Sequence, residues 1–364
     1  MKKDVKIRVG LKDRSYDIII GDHLLSRAGQ YARLLPLGTD AVIVTNHFVH
    51  KTYGTALITS LKKTGCTVKI FEVPDSEQSK SAKVAFELLN KIASYDVNKK
   101  IFIIAFGGGV VGDVAGFVAA IYKRGVPYIQ IPTTFLAQID SAIGGKTAID
   151  LPTGKNLVGA FYQPKMVLSD AAVLSTLNQR QIRNGLAEAV KYGVIADKSL
   201  FAYIFRNYKK LLALDPKTLL DVVIKSSQIK VRVVENDERE TNGLRMILNF
   251  GHTVGHAIET AGGYERYHHG EAIALGMRIA ADIACQLDLF SRNNSLRLET
   301  LLSNIGLSER IQGVRLNYIL QAMAHDKKFK AGKNRFVLPV QIGKVKIWEG
   351  IPESIIQRAI KKYF

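Results

Sequence analysis

Residues 101–120 read IFIIAFGGGVVGDVAGFVAA, and this stretch decides the fold. From Ile101 to Phe106 the chain is apolar and rich in β-branched and aromatic residues, the composition of a strand buried on both faces. Gly107, Gly108 and Gly109 interrupt the run, and a helical period follows from Val110. A strand, a tight turn and a helix in that order form a unit of a parallel sheet covered by helices. The alternation extends outward in both directions. Toward the N-terminus KIRV, DIII, AVIVTN and TVKIFEV read as strands, with SAKVAFELLNKIASY as an amphipathic helix among them; toward the C-terminus YIQIP and KMVLSD add two more. After about Asp170 long helical periods take over, in RNGLAEAVKYGVI, PKTLLDVVIKSSQIKVRVVEND, FGHTVGHAIETA and GEAIALGMRIAADIACQLDLF, and FVLPVQIGKVKIW alone looks like strand. The pattern predicts an α/β + α chain: a Rossmann-like parallel-sheet domain over residues 1–175 and a mostly helical domain over 176–364, with no Pro/Gly/Ser-rich linker between them.

Composition narrows the class. With 364 residues, 47% hydrophobic and 23% charged, the chain can bury a sizeable core and is neither disordered nor collagen-like. Cys66 and Cys285 are too few and too distant for a disulfide framework or a thiolate metal site, which makes a reducing, cytoplasmic setting the expectation. The basic N-terminal stretch has no apolar segment after it, and no window is apolar enough for a membrane span. Fifty-one Lys and Arg against 32 Asp and Glu give a formal charge of +19, which suits an anionic partner. Nucleic acid is one candidate and a small phosphorylated or carboxylated metabolite another, while a solvated lysine-rich surface explains the charge equally well. No recognition helix, zinc finger or aromatic sheet motif favours nucleic acid.

Gly107-x-Gly109-x-x-Gly112 has the dinucleotide-binding spacing, in which glycines let backbone N–H groups approach a pyrophosphate at a helix N-terminus. The turn comes late in the chain, and no acidic residue stands about 20 positions on to hold a ribose, so a purely structural turn remains an alternative. Asp113 would repel phosphate and accept hydrogen bonds from hydroxyls. The next segment, IPTTFLAQIDSAIGGKTAIDLPTGKNLVGAFYQP, is dense in Thr, Gly, Lys and Asn and reads as a loop. Lys146 and Lys155 each follow glycine there, presenting cations beside flexible backbone. A P-loop would need glycine at position 140, which is Asp140.

Farther on, Glu188 and Lys191 lie three apart and share a helix face, while Asn249, His252 and His256 fit i, i+3, i+7 on another. His268 and His269 introduce a further helix. Imidazoles and a carboxylate gathered on helices suggest a divalent ion bound by nitrogen and oxygen, most simply zinc. Spacing leaves open which histidines ligate.

Together GGGVVGDVAGFVAA, RGVPYIQIPTTFLAQIDSAIGGKTAI, GKNLVGAFYQP, GLAEAVKYG, NFGHTVGHAIE and HGEAIALGM resemble the 3-dehydroquinate synthase family over about residues 40–345. The resemblance implies a nucleotide-binding α/β half and a helical metal- and substrate-binding half. It implies a homodimer that converts a heptulosonate phosphate into 3-dehydroquinate and inorganic phosphate, the second step of the shikimate pathway, using NAD as a recycled oxidant and one divalent metal, zinc or cobalt. Position by position it assigns the metal to Glu188, His252 and His269. Lys146, Lys191, Asn249 and His256 become catalytic, and Arg124, Asp140, Asn156, Lys230, Glu240, Arg245 and Lys328 bind substrate, with Arg245 on its carboxylate and Arg124 reaching a neighbouring subunit. NAD falls to Asn46, Asp75, Glu77, Lys80, Gly109, Val110, Val111, Gly112, Asp113, Thr133, Thr134, Lys146, Lys155 and Thr176. Two rival enzymes share these features: another sugar phosphate cyclase, against which Arg245 argues, and a polyol dehydrogenase, which would release NADH.

Overall fold

A computed structural model describes residues 4–324 and 334–364. By contact the chain divides into two units. The first runs up to Leu177 and takes in Leu219–Glu235; the second comprises Asn178–Thr218 and the chain from Asn236 onward. The long helix Pro216–Asn236 thus lies almost wholly with the first unit, an assignment that its sequence period does not carry.

Eleven strands occur among the described residues: β1 Val5–Val9, β2 Tyr16–Gly21, β3 Asp40–Thr45, β4 Thr67–Glu72, β5 Ile101–Gly107, β6 Tyr128–Pro132, β7 Lys146–Leu151, β8 Gly154–Phe161, β9 Met166–Asp170, β10 Arg335–Gln341 and β11 Lys344–Glu349. Seven form the sheet of the first unit in the order β1-β2-β9-β6-β5-β3-β4. The expected parallel arrangement holds except at one edge, where β1 runs antiparallel to β2. The connection from Val9 to Tyr16 is too short for the crossover that a parallel neighbour requires.

Every residue of β3 and β5 is buried, as a central strand covered on both faces must be. On one face Val42, Val44, Ile103 and Ala105 pack with Leu88 and Ile92 of helix Ala82–Tyr95 and with Val114 and Val118 of helix Gly109–Ile121. The chain steps from β3 outward to β4 and returns to β5 on the other side of β3, so the sheet changes winding direction between β3 and β5. In open parallel sheets that point, at the carboxyl ends of the strands, is where ligands lodge.

The polar stretch after β6 differs from its reading as a loop. It forms a short π-helical turn, Ala137–Ser141, and then the antiparallel hairpin β7–β8, with Lys146 opposite Phe161 and Ile149 opposite Val158. Thr147 and Ile149 point inward while their neighbours face out, an alternation hidden by the Thr, Gly and Asn around it.

The second unit is helical apart from the hairpin β10–β11. Its most enclosed element is helix His269–Gln286, where Ala272 through Cys285 are all buried.

Candidate active site

In the first unit, strand ends and the glycine turn assemble a polar cluster at the switch point. Gly108 caps helix Gly109–Ile121 without a side chain, leaving the first N–H groups of the helix to face whatever lies beyond the turn. Glycine is required at 112 for packing: a Cβ there would stand 2.9 Å from Oε1 of Gln130 on β6, whose amide donates to the Gly112 carbonyl at 3.2 Å. Val111 turns its side chain into the core and Gly112 is buried with it, so of the motif it is Gly109, Val110 and Asp113 that stay only partly buried.

Asn46 follows β3, caps helix His47–Lys63 by accepting from Val49 N at 2.8 Å, and donates to Asp75 at 2.8 Å. Buried Lys80 donates to Asp113 at 2.7 Å and to Asn156 at 2.5 Å. Burial disfavours its charge, yet Asp113, Glu77 and Asp150 outweigh that and raise its pKa. Burial likewise pushes the Asp113 carboxyl up. Lys155 pairs with Glu77 at 3.1 Å. Thr133 N–H binds the Gly107 carbonyl, and Thr134 caps Ala137 N. Thr176 meets the Tyr53 hydroxyl, on the helix that Asn46 caps, at 2.6 Å. Asp140 and Lys230 are joined twice, through the Asp140 carboxylate at 2.6 Å and its carbonyl at 2.7 Å. Lys146 opens β7 and is exposed. Arg124 is exposed on a turn where Lys123, Arg124 and Gly125 have φ of 48, 63 and 123, and Lys123 is tied to buried Asp96 at 2.5 Å.

In the second unit, helices Gln179–Ala196, His252–Ala261 and His269–Gln286 bring a carboxylate and imidazoles together. Glu188 is fully buried, and the ammonium of Lys191, one turn on, lies against its Oε2. Nε2 of His252 and Nε2 of His269 lie 3.4 and 3.3 Å from Glu188 Oε1, so the three residues can present ligand atoms within 4.8 Å of one another. Close helix contact makes this possible: a Cβ on Gly276 would overlap the Gly251 carbonyl, and one on Gly255 would come within 2.7 Å of Ile273. Gly270 N–H donates to Asn184 Oδ1, which fixes the start of the third helix on the first.

The far nitrogen of each imidazole is also held. His252 Nδ1 lies 3.1 Å from the Phe250 carbonyl, and His269 Nδ1 lies 3.4 Å from Glu259 Oε1. Such outer contacts are what orient histidines as metal ligands. Burial, Lys191 and the two other histidines drive the His252 pKa well below 6.5, keeping it neutral. At His269 burial opposes charge, but hydrogen bonds to Glu188 and Glu259 prevail and push it up to about 10. A buried carboxylate and two oriented imidazoles whose ligand atoms lie within 4.8 Å of one another fit a divalent ion with N, N, O donors.

Asn249 does not share the helix of the histidines, contrary to the i, i+3, i+7 expectation. It ends the 3-10 turn Leu244–Asn249, and Gly251, at φ 81, starts the helix afresh at His252. His252 and His256 do share a face, their rings 5.1 Å apart. His268 caps its helix, its N–H bound to Glu271 at 2.9 Å, outside the carboxylate–imidazole cluster. Arg245 is buried, donates to the Glu238 carbonyl at 2.7 Å and stands 3.6 Å from Glu240, whose φ of 58 is left-handed. Lys328 lies outside the described residues. Glu259, absent from the expected site residues although it follows His256 by three positions and His252 by seven on the same helix, also groups with His256 and His269.

A doubly covered parallel sheet with a glycine turn at its switch point, and a helical unit with an N, N, O nest, define a class of two-part α/β + α enzymes. Comparison with known proteins narrows it. The model described as 3-dehydroquinate synthase N-terminal matches residues 70–184, and the one described as 3-dehydroquinate synthase C-terminal matches 185–329. A 3-dehydroquinate synthase of Desulforamulus reducens is 46% identical over 351 residues, covering 96% of this chain and 98% of its own. Among solved structures, 2-deoxy-scyllo-inosose synthase complexed with carbaglucose-6-phosphate, NAD+ and Co2+ superposes with a TM-score of 0.89 at 28% identity, over 99% of this chain and 100% of the other. A 2-epi-5-epi-valiolone synthase from Streptomyces hygroscopicus with NAD+ and Zn2+ bound gives 0.88 at 26%, over 97% and 98%. The chain belongs to the 3-dehydroquinate synthase family.

Proposed function

We propose that this chain converts 3-deoxy-D-arabino-heptulosonate 7-phosphate into 3-dehydroquinate and inorganic phosphate, as a cytoplasmic homodimer dependent on NAD and one divalent metal, zinc before cobalt. The observation that carries the reading is the nest of Glu188, His252 and His269, with both far imidazole nitrogens anchored and Lys191 on the other carboxylate oxygen.

Glu188, His252 and His269 would hold the ion, which supplies Lewis acidity toward a substrate hydroxyl. NAD supplies a hydride acceptor that is restored within the same turnover. The remaining work belongs to the chain. Lys191 is a fixed cation at the nest, suited to the phosphate dianion before and after it leaves. His256, one turn from His252, carries an imidazole that can pass a proton to or from that phosphate oxygen. Arg245, rigidly seated by Glu238, offers planar donors to the substrate carboxylate. In the first unit the bare N-terminus of helix Gly109–Ile121 is suited to a pyrophosphate, and Asn46, Asp75 and Asp113 would offer acceptors to ribose hydroxyls. The closing carbon–carbon bond is intramolecular, so confinement of one conformer does more than any dedicated base.

The test is a phosphate-release assay on the purified protein with the heptulosonate phosphate, run with NAD, after chelation, and after zinc or cobalt is returned. Phosphate release with no net NADH, lost on chelation and recovered with metal, is expected. Stoichiometric NADH would instead indicate a polyol dehydrogenase, and full activity in the metal-free protein would overturn the site.

A further inference from the structure

The His269 ring lies between two carboxylates. Its Nε2 lies 3.3 Å from Glu188 Oε1, and its Nδ1 lies 3.4 Å from Glu259 Oε1. Glu259 stands on helix His252–Ala261, seven residues after His252 and hence on nearly the same face, whereas His269 opens the following helix. Its carboxylate is buried, at 8% exposure, which is costly for a charge unless a partner compensates it. The two imidazoles of the nest are therefore braced differently: His252 by the neutral carbonyl of Phe250, His269 by a charged side chain from another helix.

A carboxylate can only accept, so a hydrogen bond to Glu259 requires the proton of neutral His269 to sit on Nδ1. With an ion in the nest, Nε2 would then be the lone-pair nitrogen, on the side of Glu188. The charges also match. Two carboxylates, Glu188 and Glu259, offset a divalent ion, which leaves the Lys191 ammonium as excess positive charge for an anionic substrate. Glu259 closes the stretch NFGHTVGHAIE, but the resemblance gives it no role.

We infer that Glu259 is the positioning residue of the metal nest: it fixes the tautomer and orientation of His269 and strengthens that imidazole's hold on a divalent ion. The inference rests on the reading that Glu188, His252 and His269 bind such an ion.

The experiment strips the full-length protein with a chelator and titrates zinc against a chromophoric chelator, for wild type and for Glu259→Gln, Glu259→Asp and Glu259→Leu. Gln keeps the shape and an acceptor but removes the charge. Zinc affinity should fall about 10- to 100-fold in the Gln variant, recover in part in Asp, and fall furthest in Leu. The metal-free Gln variant loses the His269–Glu259 pair and should melt somewhat below wild type, so it is the zinc affinity, not the melting temperature, that reads the positioning role. Cobalt loading gives a second readout, because a reoriented imidazole shifts the visible absorption bands of the bound ion. Wild-type affinity and an unchanged cobalt spectrum in the Gln variant would overturn the inference, as would a lowered metal-free melting temperature with affinity intact. Failure of the wild type to bind zinc at all would instead bring down the reading of the nest itself.

Discussion

Lys191 has 2% of its surface exposed and rests on a carboxylate with none, an arrangement that burial makes expensive to break. Replacing one partner of a buried ion pair leaves the other charge uncompensated and costs about 3–5 kcal/mol. In Lys191→Met the Glu188 carboxylate would keep only the His252 and His269 imidazoles beside it, and a divalent ion would neutralise it. The variant should therefore melt well below wild type when metal-free, and the gap should narrow once zinc is added. Phosphate release should fall by about 100-fold or more, because the cation facing the leaving group is gone. Calorimetry with and without zinc checks the first part; an equal gap in both conditions would show that Glu188 is not a ligand. At this scale the sequence was informative where residue types are rare. Histidines at 252, 256 and 269 stand out in any helix, whereas Glu259 looks like an ordinary solvated glutamate until the fold turns it toward His269.

Among elements, the contact between helices His252–Ala261 and His269–Gln286 fixes the distance between two imidazoles on different helices. Gly276→Ala places a methyl where the Gly251 carbonyl now lies, so the helices must separate. Overpacking of this kind costs about 1–3 kcal/mol, and the variant should both melt lower and bind zinc more weakly; unaltered zinc affinity would show that the nest does not depend on this contact. The connection after helix Pro216–Asn236 depends on Asp237, which accepts backbone N–H bonds from Thr241, Asn242 and Arg245. Burial opposes its charge, but those three donors and the Arg245 guanidinium outweigh it and hold the carboxyl below its usual 3.8. A depressed folded pKa contributes stability that is present above 3.8 and lost as pH falls through the folded value. Asp237→Ala should flatten that acid limb and loosen Arg245, raising the KM for the carboxylate-bearing substrate; an acid limb identical to wild type would refute the assignment. Elements were legible where composition and period agree. The inner strands of the main sheet are largely apolar, β-branched runs and its edges β1 and β4 alternate with charged residues, while β7 and β8 are diluted by Thr, Gly and Asn, and the reversed direction of β1 is set by connection length, which a strand's own residues do not encode.

For the molecule as a whole, the +19 formal charge gains a use once the substrate is a carboxylate bearing a phosphate. A field of that sign accelerates encounter with an anion, and its reach is set by salt: the Debye length is about 30 Å at 0.01 M and about 8 Å at 0.15 M. Cations held inside an ion pair, such as Lys80 and Lys230, feel added salt little, whereas an exposed one such as Arg124 feels it fully. If the surface charge serves capture, kcat/KM should fall about tenfold or more between these two salt concentrations, with kcat nearly constant because the buried Lys191 and Arg245 are shielded from the added ions. Sucrose at matched viscosity separates slower diffusion from weaker attraction. A kcat/KM that ignores salt would assign the excess lysines to the solvated surface alone, and a fall in kcat of the same size would place the salt-sensitive cations in the chemical step instead of in encounter.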